Sequence, residues 1–105
     1  MRKVSFSIPD GLLPVIIQEV KSLEVLMLGY MNMEALTKTI DTGFVFFWSR
    51  SRNKLWKKGE TSGNKLKVKK IYTDCDKDTL LIKAELMGEN ACHKGCKSCF
   101  HQKII

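Results

Sequence analysis

Cys75 stands between Asp74 and Asp76, with Asp78 next in the same alternation, and Cys92, His93, Cys96 and Cys99 follow in one short run. All four cysteines and one of the two histidines therefore lie within the stretch 74–99. Thiolate and imidazole suit zinc, whereas clustered carboxylates suit a hard cation such as magnesium. Two overlapping ligand sets make a metal enzyme the first reading. Cys92, Cys96 and Cys99 are separated by three and two residues, and with Cys75 they could supply four ligands. A complete four-thiolate set would be closed and structural; three thiolates would leave a catalytic position for water. That water needs a group to receive its proton, and His93, beside Cys92, suits the role. The plainer reading of His93 is a surface residue flanking a structural site, and His101, with no partner in sequence, reads as a surface residue. Asp74, Asp76 and Asp78 would share one face of a strand or converge on one cation in a turn. A solvated acidic turn is the alternative, because three such carboxylates repel one another unless a cation or solvent compensates.

A second stretch carries a different chemistry. Residues 49–64 crowd basic and hydroxylated side chains around Trp56, Gly59 and Gly63. Arginine offers phosphate a fork of donors, lysine a mobile charge, and glycine lets backbone amides approach an anion. The order of residues is not that of a Walker A loop. A solvated loop with scattered charge accounts for the same composition.

The chain of 105 residues bounds these readings to one domain, 1–105, that buries roughly two thirds of its unfolded surface. Its formal charge of +7 favours an anionic partner: nucleic acid, an anionic membrane surface or a phosphorylated metabolite. A generally lysine-rich proteome would give the same excess. No signal-length apolar run follows the basic start, and no stretch is long enough to span a membrane, so a cytoplasmic location is expected. In that compartment the cysteines read as ligands, catalytic groups or buried thiols.

Several elements must position these groups. A short arm ends at the turn signal Pro9-Asp10-Gly11. An apolar strand follows over 12–20, with Pro14 placing it at a sheet edge or at a strand start. Residues 21–24 form a hairpin connection, and a second strand over 25–28 closes at Gly29-Tyr30. Asn32 predicts a helix N-cap, Glu34 its acidic first turn, and Gly43 its C′ residue. Between them Ala35, Leu36, Thr39 and Ile40 recur at helical spacing, for a helix of about ten residues. Residues 44–48 form an aromatic strand for the core or a dimer contact, and 49–64 a loop. A strand over 66–73 has Leu66, Val68, Lys70 and Tyr72 on one face. An apolar strand over 79–86 completes the set, with Lys77-Asp78 in the tight turn before it.

Three functions survive this reading. One is a zinc hydrolase acting on a phosphorylated small molecule. A second is a zinc-stabilised module for RNA or DNA, with strongly salt-dependent binding. The third is a domain that needs zinc only to fold.

The motifs Phe47-Trp48-Ser49-Arg50-Ser51-Arg52, Leu55-Trp56-Lys57-Lys58-Gly59-Glu60-Thr61-Ser62-Gly63-Asn64 and Asp74-Cys75-Asp76-Lys77-Asp78 occur in that order. Cys92-His93 then precedes Gly95, Ser98, Cys99 and Phe100. In these motifs the chain resembles the phosphoribosyl-AMP cyclohydrolase family of histidine biosynthesis, from about Leu13 to Phe100. The resemblance implies hydrolysis of the N1–C6 bond of the adenine ring in 1-(5-phosphoribosyl)-AMP, opening it to the formimino-imidazolecarboxamide ribonucleotide. It implies zinc, one ion per subunit, on Cys75, Cys92 and Cys99, magnesium on Asp74, Asp76 and Asp78, and His93 as catalytic histidine. It further implies an intertwined homodimer, each zinc site taking Cys75 from one subunit and Cys92 with Cys99 from the other. Composition and resemblance together point to Arg50, Arg52, Trp56, Lys57, Lys58, Thr61, Ser62 and Gly63 as the receivers of the phosphorylated nucleotide. Cys96 departs from the family pattern, where a basic or other non-ligating residue is common, and reads as a spare thiol. The expected fold is α+β: a small, mostly-β domain of mixed or antiparallel sheet with one main helix. Neither a nucleic acid nor a membrane is an expected partner. Many relatives carry a fused pyrophosphohydrolase domain, which this chain is too short to include.

Overall fold

The computed structural model describes residues 11–105, so the expected turn at Pro9-Asp10 lies outside the described residues. Six strands and one helix follow in the order β1 (Leu13–Glu19), β2 (Val25–Met31), α1 (Met33–Thr42), β3 (Phe46–Ser49), β4 (Lys54–Lys57), β5 (Lys65–Thr73) and β6 (Leu80–Met87). Four strands form one sheet in the order β2-β1-β6-β5, and β3 with β4 forms a separate hairpin. The large sheet is mixed. β1 pairs antiparallel with β2 and parallel with β6, while β5 pairs antiparallel with β6. Pro14 sits at the start of a central strand, ahead of the first residue paired with β6. Its missing N–H thus costs the ladder nothing there.

One face of this sheet carries the core. Leu13, Val15 and Ile17 of β1 alternate inward with Leu80, Ile82 and Ala84 of β6, all at or near zero exposure. Ala35, Leu36 and Thr39 of α1, with Val45 and Phe47, cover that face. The Asn32 side chain accepts from the Ala35 N–H at 2.9 Å, and Gly43, at φ 79°, donates its N–H to the Thr39 carbonyl, so both helix ends are capped as expected. Ile40 departs from the expected apolar face and is exposed. β2 runs through Gly29 rather than closing there, because the Phe47 ring occupies the space of its missing side chain. A Cβ on Gly29 would lie 2.5 Å from Phe47 Cε1.

Two strand expectations need correction. The run 49–64 is not one loop: Lys54–Lys57 pairs back on Phe46–Ser49, and Phe47 packs on Trp56 with ring centroids 5.3 Å apart. The facing of β5 also changes along its length. A register shift between Val68 and Lys70 inserts Lys69, so Leu66, Val68 and then Ile71 turn toward the core, and Lys70 and Tyr72 do not share their face. This bulge accounts for lysines at both parities, and the outer edge of β5 before it is covered by residues 43–45, with Phe44 bridged to Lys67 and the Val45 N–H donating to the Leu66 carbonyl.

The opposite face of the sheet carries one apolar row, flanked by Gln18, Lys70 and Lys83. Leu28, Ile16, Leu81 and Tyr72 stand in one cross-strand row, with Leu28 and Tyr72 exposed. A shallow hollow of about 270 Å³ on this face is lined by Ile16, Leu81 and Tyr72 and extends to Asp74 and Thr79. Among the described residues no helix is long and apolar enough to cross a membrane.

Candidate active site

The acidic motif folds as the β5–β6 turn, and its backbone gathers the carboxylates. Asp74 Oδ1 accepts the N–H groups of Asp78 and Thr79 at 3.0 and 3.3 Å, while Asp74 donates its own N–H to the Thr79 carbonyl at 3.2 Å. Lys77 takes φ 59° to complete the reversal. Asp74, Asp76 and Asp78 each offer an oxygen within 4.8 Å of the others. The Asp78 N–H holds the Asp74 carboxyl below the usual range, whereas the neighbouring Asp74 carboxylate pushes Asp78 up. Three carboxylate oxygens gathered in one turn repel one another, and a hard cation would relieve that repulsion, so the donor set fits one.

The cysteine run leaves β6 and is sewn onto the start of β2. Buried Ala91 anchors it in the core, and its N–H donates to the Lys97 carbonyl at 2.9 Å. The Cys92 N–H donates to the Cys96 carbonyl at 3.1 Å and closes a small ring in which Gly95 takes φ 87°. The Ser98 hydroxyl donates to the Val25 carbonyl at 2.7 Å, and the Cys99 N–H to the Leu26 carbonyl, also at 2.7 Å. Lys97 adds ion pairs to Glu19 at 2.8 Å and Glu24 at 3.3 Å.

This wiring makes Cys92 and Cys99 neighbours of unlike character. The Lys94 N–H, 3.5 Å from Cys92 Sγ, favours the Cys92 thiolate and lowers its pKa. Cys99 lies exposed as a residue, yet its sulfur is desolvated enough to raise its pKa; the adjacent Cys92 adds to the rise and the Lys58 ammonium opposes it. Two soft donors on one loop fit a zinc ion as part of its ligand set. Cys75 is exposed on the aspartate turn. Among the described residues the aspartate trio is the one group of three or more candidate ligands gathered within 4.8 Å, so a single chain does not bring Cys75 together with Cys92 and Cys99.

The β3–β4 hairpin and the loop after it enclose a cleft of about 590 Å³, lined by Ser49, Ser51, Arg52, Lys54 and residues 56–62. Six sequence-predicted residues therefore share one concavity: Arg52, Trp56, Lys57, Lys58, Thr61 and Ser62. Arg50 and Gly63 do not line it. The Arg50 guanidinium lies 3.8 Å from the Tyr30 ring centroid, and Gly63, at φ 80°, donates its N–H to the Gly59 carbonyl. The loop is fixed toward the cysteine run through Asn64, whose Oδ1 accepts the Glu89 N–H at 3.2 Å. Gly88 must lack a side chain at that contact, since a Cβ would come 2.2 Å from Asn64 Oδ1.

Sequence reasoning missed Glu60, the one acidic residue of the cleft. It also passed over the place of His101, whose Nε2 lies 3.8 Å from Cys92 Sγ. His93 is exposed, with its ring directed to no partner among the described residues. Cys96 is half-buried beside its two neighbours.

Comparison with known proteins accords with this geometry. A family model described as phosphoribosyl-AMP cyclohydrolase matches residues 27–101. The phosphoribosyl-AMP cyclohydrolase of Listeria innocua is 58% identical over 104 residues, covering 99% of this chain and 96% of the relative. That of Clostridium botulinum (strain 657 / Type Ba4) is 55% identical over 105 residues, covering 100% of this chain and 94% of the relative. The enzyme of the same description from Archaeoglobus fulgidus is 58% identical over 94 residues, or 90% of this chain and 86% of the relative. With an acidic turn, a cysteine loop and a basic cleft on one small mixed sheet, the chain belongs to the phosphoribosyl-AMP cyclohydrolase family of hydrolases.

Proposed function

We propose that the chain opens the adenine ring of 1-(5-phosphoribosyl)-AMP by zinc-dependent hydrolysis of the N1–C6 bond, within histidine biosynthesis in the cytoplasm. One observation carries this reading: Arg52, Trp56, Lys57, Lys58, Thr61 and Ser62 share one basic concavity that suits a phosphorylated substrate. Asn64, just past the cleft, accepts the Glu89 N–H and so ties the cleft loop to the segment that leads into the cysteine loop. Bound zinc would supply Lewis acidity that brings the pKa of a water toward neutrality.

The chain's own residues do the rest. Arg52, Lys57 and Lys58, with the hydroxyls of Thr61 and Ser62, receive the phosphoryl ends, and Trp56 walls the cleft. Arg50 and Gly63 stay outside the cleft; they act by supporting its walls. Ribosylation at N1 leaves the purine ring positively charged and C6 electrophilic. His93 accepts a proton as water adds to C6. Collapse then breaks the C6–N1 bond, its electron pair passes to N1, and N1 regains a proton. The exocyclic nitrogen remains on C6 as a carboxamide. Asp74, Asp76 and Asp78 would hold magnesium, which would supply the positive charge that offsets their repulsion.

Cys75, Cys92 and Cys99 would hold zinc, one ion per subunit, with Cys75 given by the second subunit of a homodimer. Two features support sharing: Cys75 does not join the other two cysteines within one chain, and an apolar hollow on the outer face of the sheet runs up to the turn that carries it. A second copy covering that face removes Leu28 and Tyr72 from water and brings a cysteine loop to each Cys75. Cys96 remains outside the ligand set. Metal-replete protein incubated with phosphoribosyl-AMP should give turnover followed by product absorbance. Folded, zinc- and magnesium-loaded protein without turnover overturns the assignment. Saturable, salt-dependent binding to RNA in its place would favour a nucleic-acid module.

A further inference from the structure

We propose that His101 is a positioning residue of the metal centre, its ring N–H donating to Cys92 Sγ and holding that sulfur for zinc from outside the coordination shell. The inference rests on the zinc reading above but concerns a residue which that reading leaves without a role. His101 Nε2 lies 3.8 Å from Cys92 Sγ, across nine positions of irregular chain. The Cys99 N–H on Leu26 and the Phe100 N–H on Ser98 Oγ at 2.9 Å turn the backbone so that residue 101 comes back over residue 92. Among the described residues Cys92 Sγ is the one hydrogen-bond partner of this ring.

The geometry separates an outer donor from a ligand. Two donors on one tetrahedral zinc stand roughly 3.5–3.8 Å apart, given bond lengths of about 2.3 Å to sulfur and 2.0–2.1 Å to nitrogen. Three such donors would all fall within 4.8 Å of one another. Cys92, Cys99 and His101 do not form a group within that limit. The ring thus reaches one sulfur and not the centre of a ligand set. Cys92 Sγ then has two N–H groups directed at it, from Lys94 and from His101.

The chemistry gives this donor a purpose. Three thiolates over-neutralise a zinc ion and blunt its Lewis acidity. An N–H directed at a ligating sulfur withdraws charge from it and fixes its orientation, as outer partners of metal ligands do. The two histidines divide the work: His101 acts on the ligand, and His93 is left to exchange a proton with water.

Full-length protein carrying His101→Ala or His101→Gln tests this with zinc and cobalt(II) as the probes. Zinc affinity, measured by competition with a chelator, should fall about 10–100-fold in His101→Ala. His101→Gln, whose amide still offers an N–H but ligates zinc poorly, should recover most of it. The cobalt ligand-field bands should match the unaltered protein in both variants, with only the thiolate charge-transfer band moved in His101→Ala. Ligand-field bands that change, with both variants equally weakened, overturn the proposal by making His101 a ligand. Affinity unchanged in both variants returns His101 to the surface. An unaltered chain that takes up neither metal overturns the zinc reading itself, and this inference with it.

Discussion

The Ser98 hydroxyl and the Val25 carbonyl, 2.7 Å apart, join the cysteine loop to the first residue of β2. Ser98 is buried, and its removal leaves the part-buried Val25 carbonyl without this partner. Ser98→Ala should therefore destabilise the fold by roughly 0.5–1.5 kcal/mol. Urea unfolding measures that loss, and zinc affinity should fall with it because the Cys99 N–H bond to Leu26 is the neighbouring stitch.

The ion pair of Lys97 with Glu19 predicts a pH dependence at both ends. The Lys97 hydrogen bond, then that of Ser22, lowers the Glu19 pKa from 4.5. A lowered carboxyl stabilises the fold fully above 4.5, and that contribution disappears as pH falls through the lowered folded value. Lys97 is raised from 10.5, first by Glu19 and then by Glu24, so its share is complete below 10.5 and disappears as pH rises through the raised value. Melting temperatures of the unaltered protein and Lys97→Met should differ modestly near neutrality and converge in acid and in strong base. A difference that stays constant from acid to base would refute the pairing.

His93→Ala should keep fold and zinc while turnover falls by about 10²–10⁴-fold, the span for loss of a general base. Zinc content by elemental analysis distinguishes this from loss of a ligand. Loss of zinc in this variant would put His93 on the metal.

Cys96→Ser should retain one tightly bound zinc per chain and most of the activity. Zinc release from this variant, read by a colorimetric chelator, would make Cys96 a ligand and remove the open position.

Sharing of the zinc site can be read from mixed dimers. Cys75→Ala and Cys92→Ala homodimers should each be nearly inactive. Refolded together in equal amounts, about half the dimers are mixed, and each mixed dimer has one site with both lesions and one with neither. About a quarter of the unaltered activity should return, on free symmetric pairing. Background activity after exchange has been verified by mass would exclude the shared site.

The elements that were legible were those with strong local rules. Asn32 and Gly43 bracket α1 because capping chemistry is written in single residues. The β3–β4 hairpin was obscured because Leu55 and Trp56 are adjacent rather than alternating, and lysines flank them. Its pairing is fixed by Trp56 packing on Phe47, a contact between strands that no short window contains. The facing of β5 past Val68 was equally hidden, since a bulge changes parity without changing composition. At the site, residue types announced ligands, but adjacency did not follow from spacing. The approach of His101 to Cys92 depends on bonds that hold the loop to β2, far away in sequence.

The parallel pairing of β1 with β6 has a consequence for how the protein is made. Val15 and Ile17 find their neighbours on one side only in Leu80 and Ile82, so a central strand lacks half of its ladder until β6 has left the ribosome. Such distant pairing forms slowly and leaves apolar surface open in the meantime. The cysteine loop begins just beyond β6 and is stitched to β2, whose place beside β1 depends on the same sheet. Ordering of the thiols for metal is thereby coupled to completion of the sheet, since the loop that carries them follows β6 and is bonded to β2.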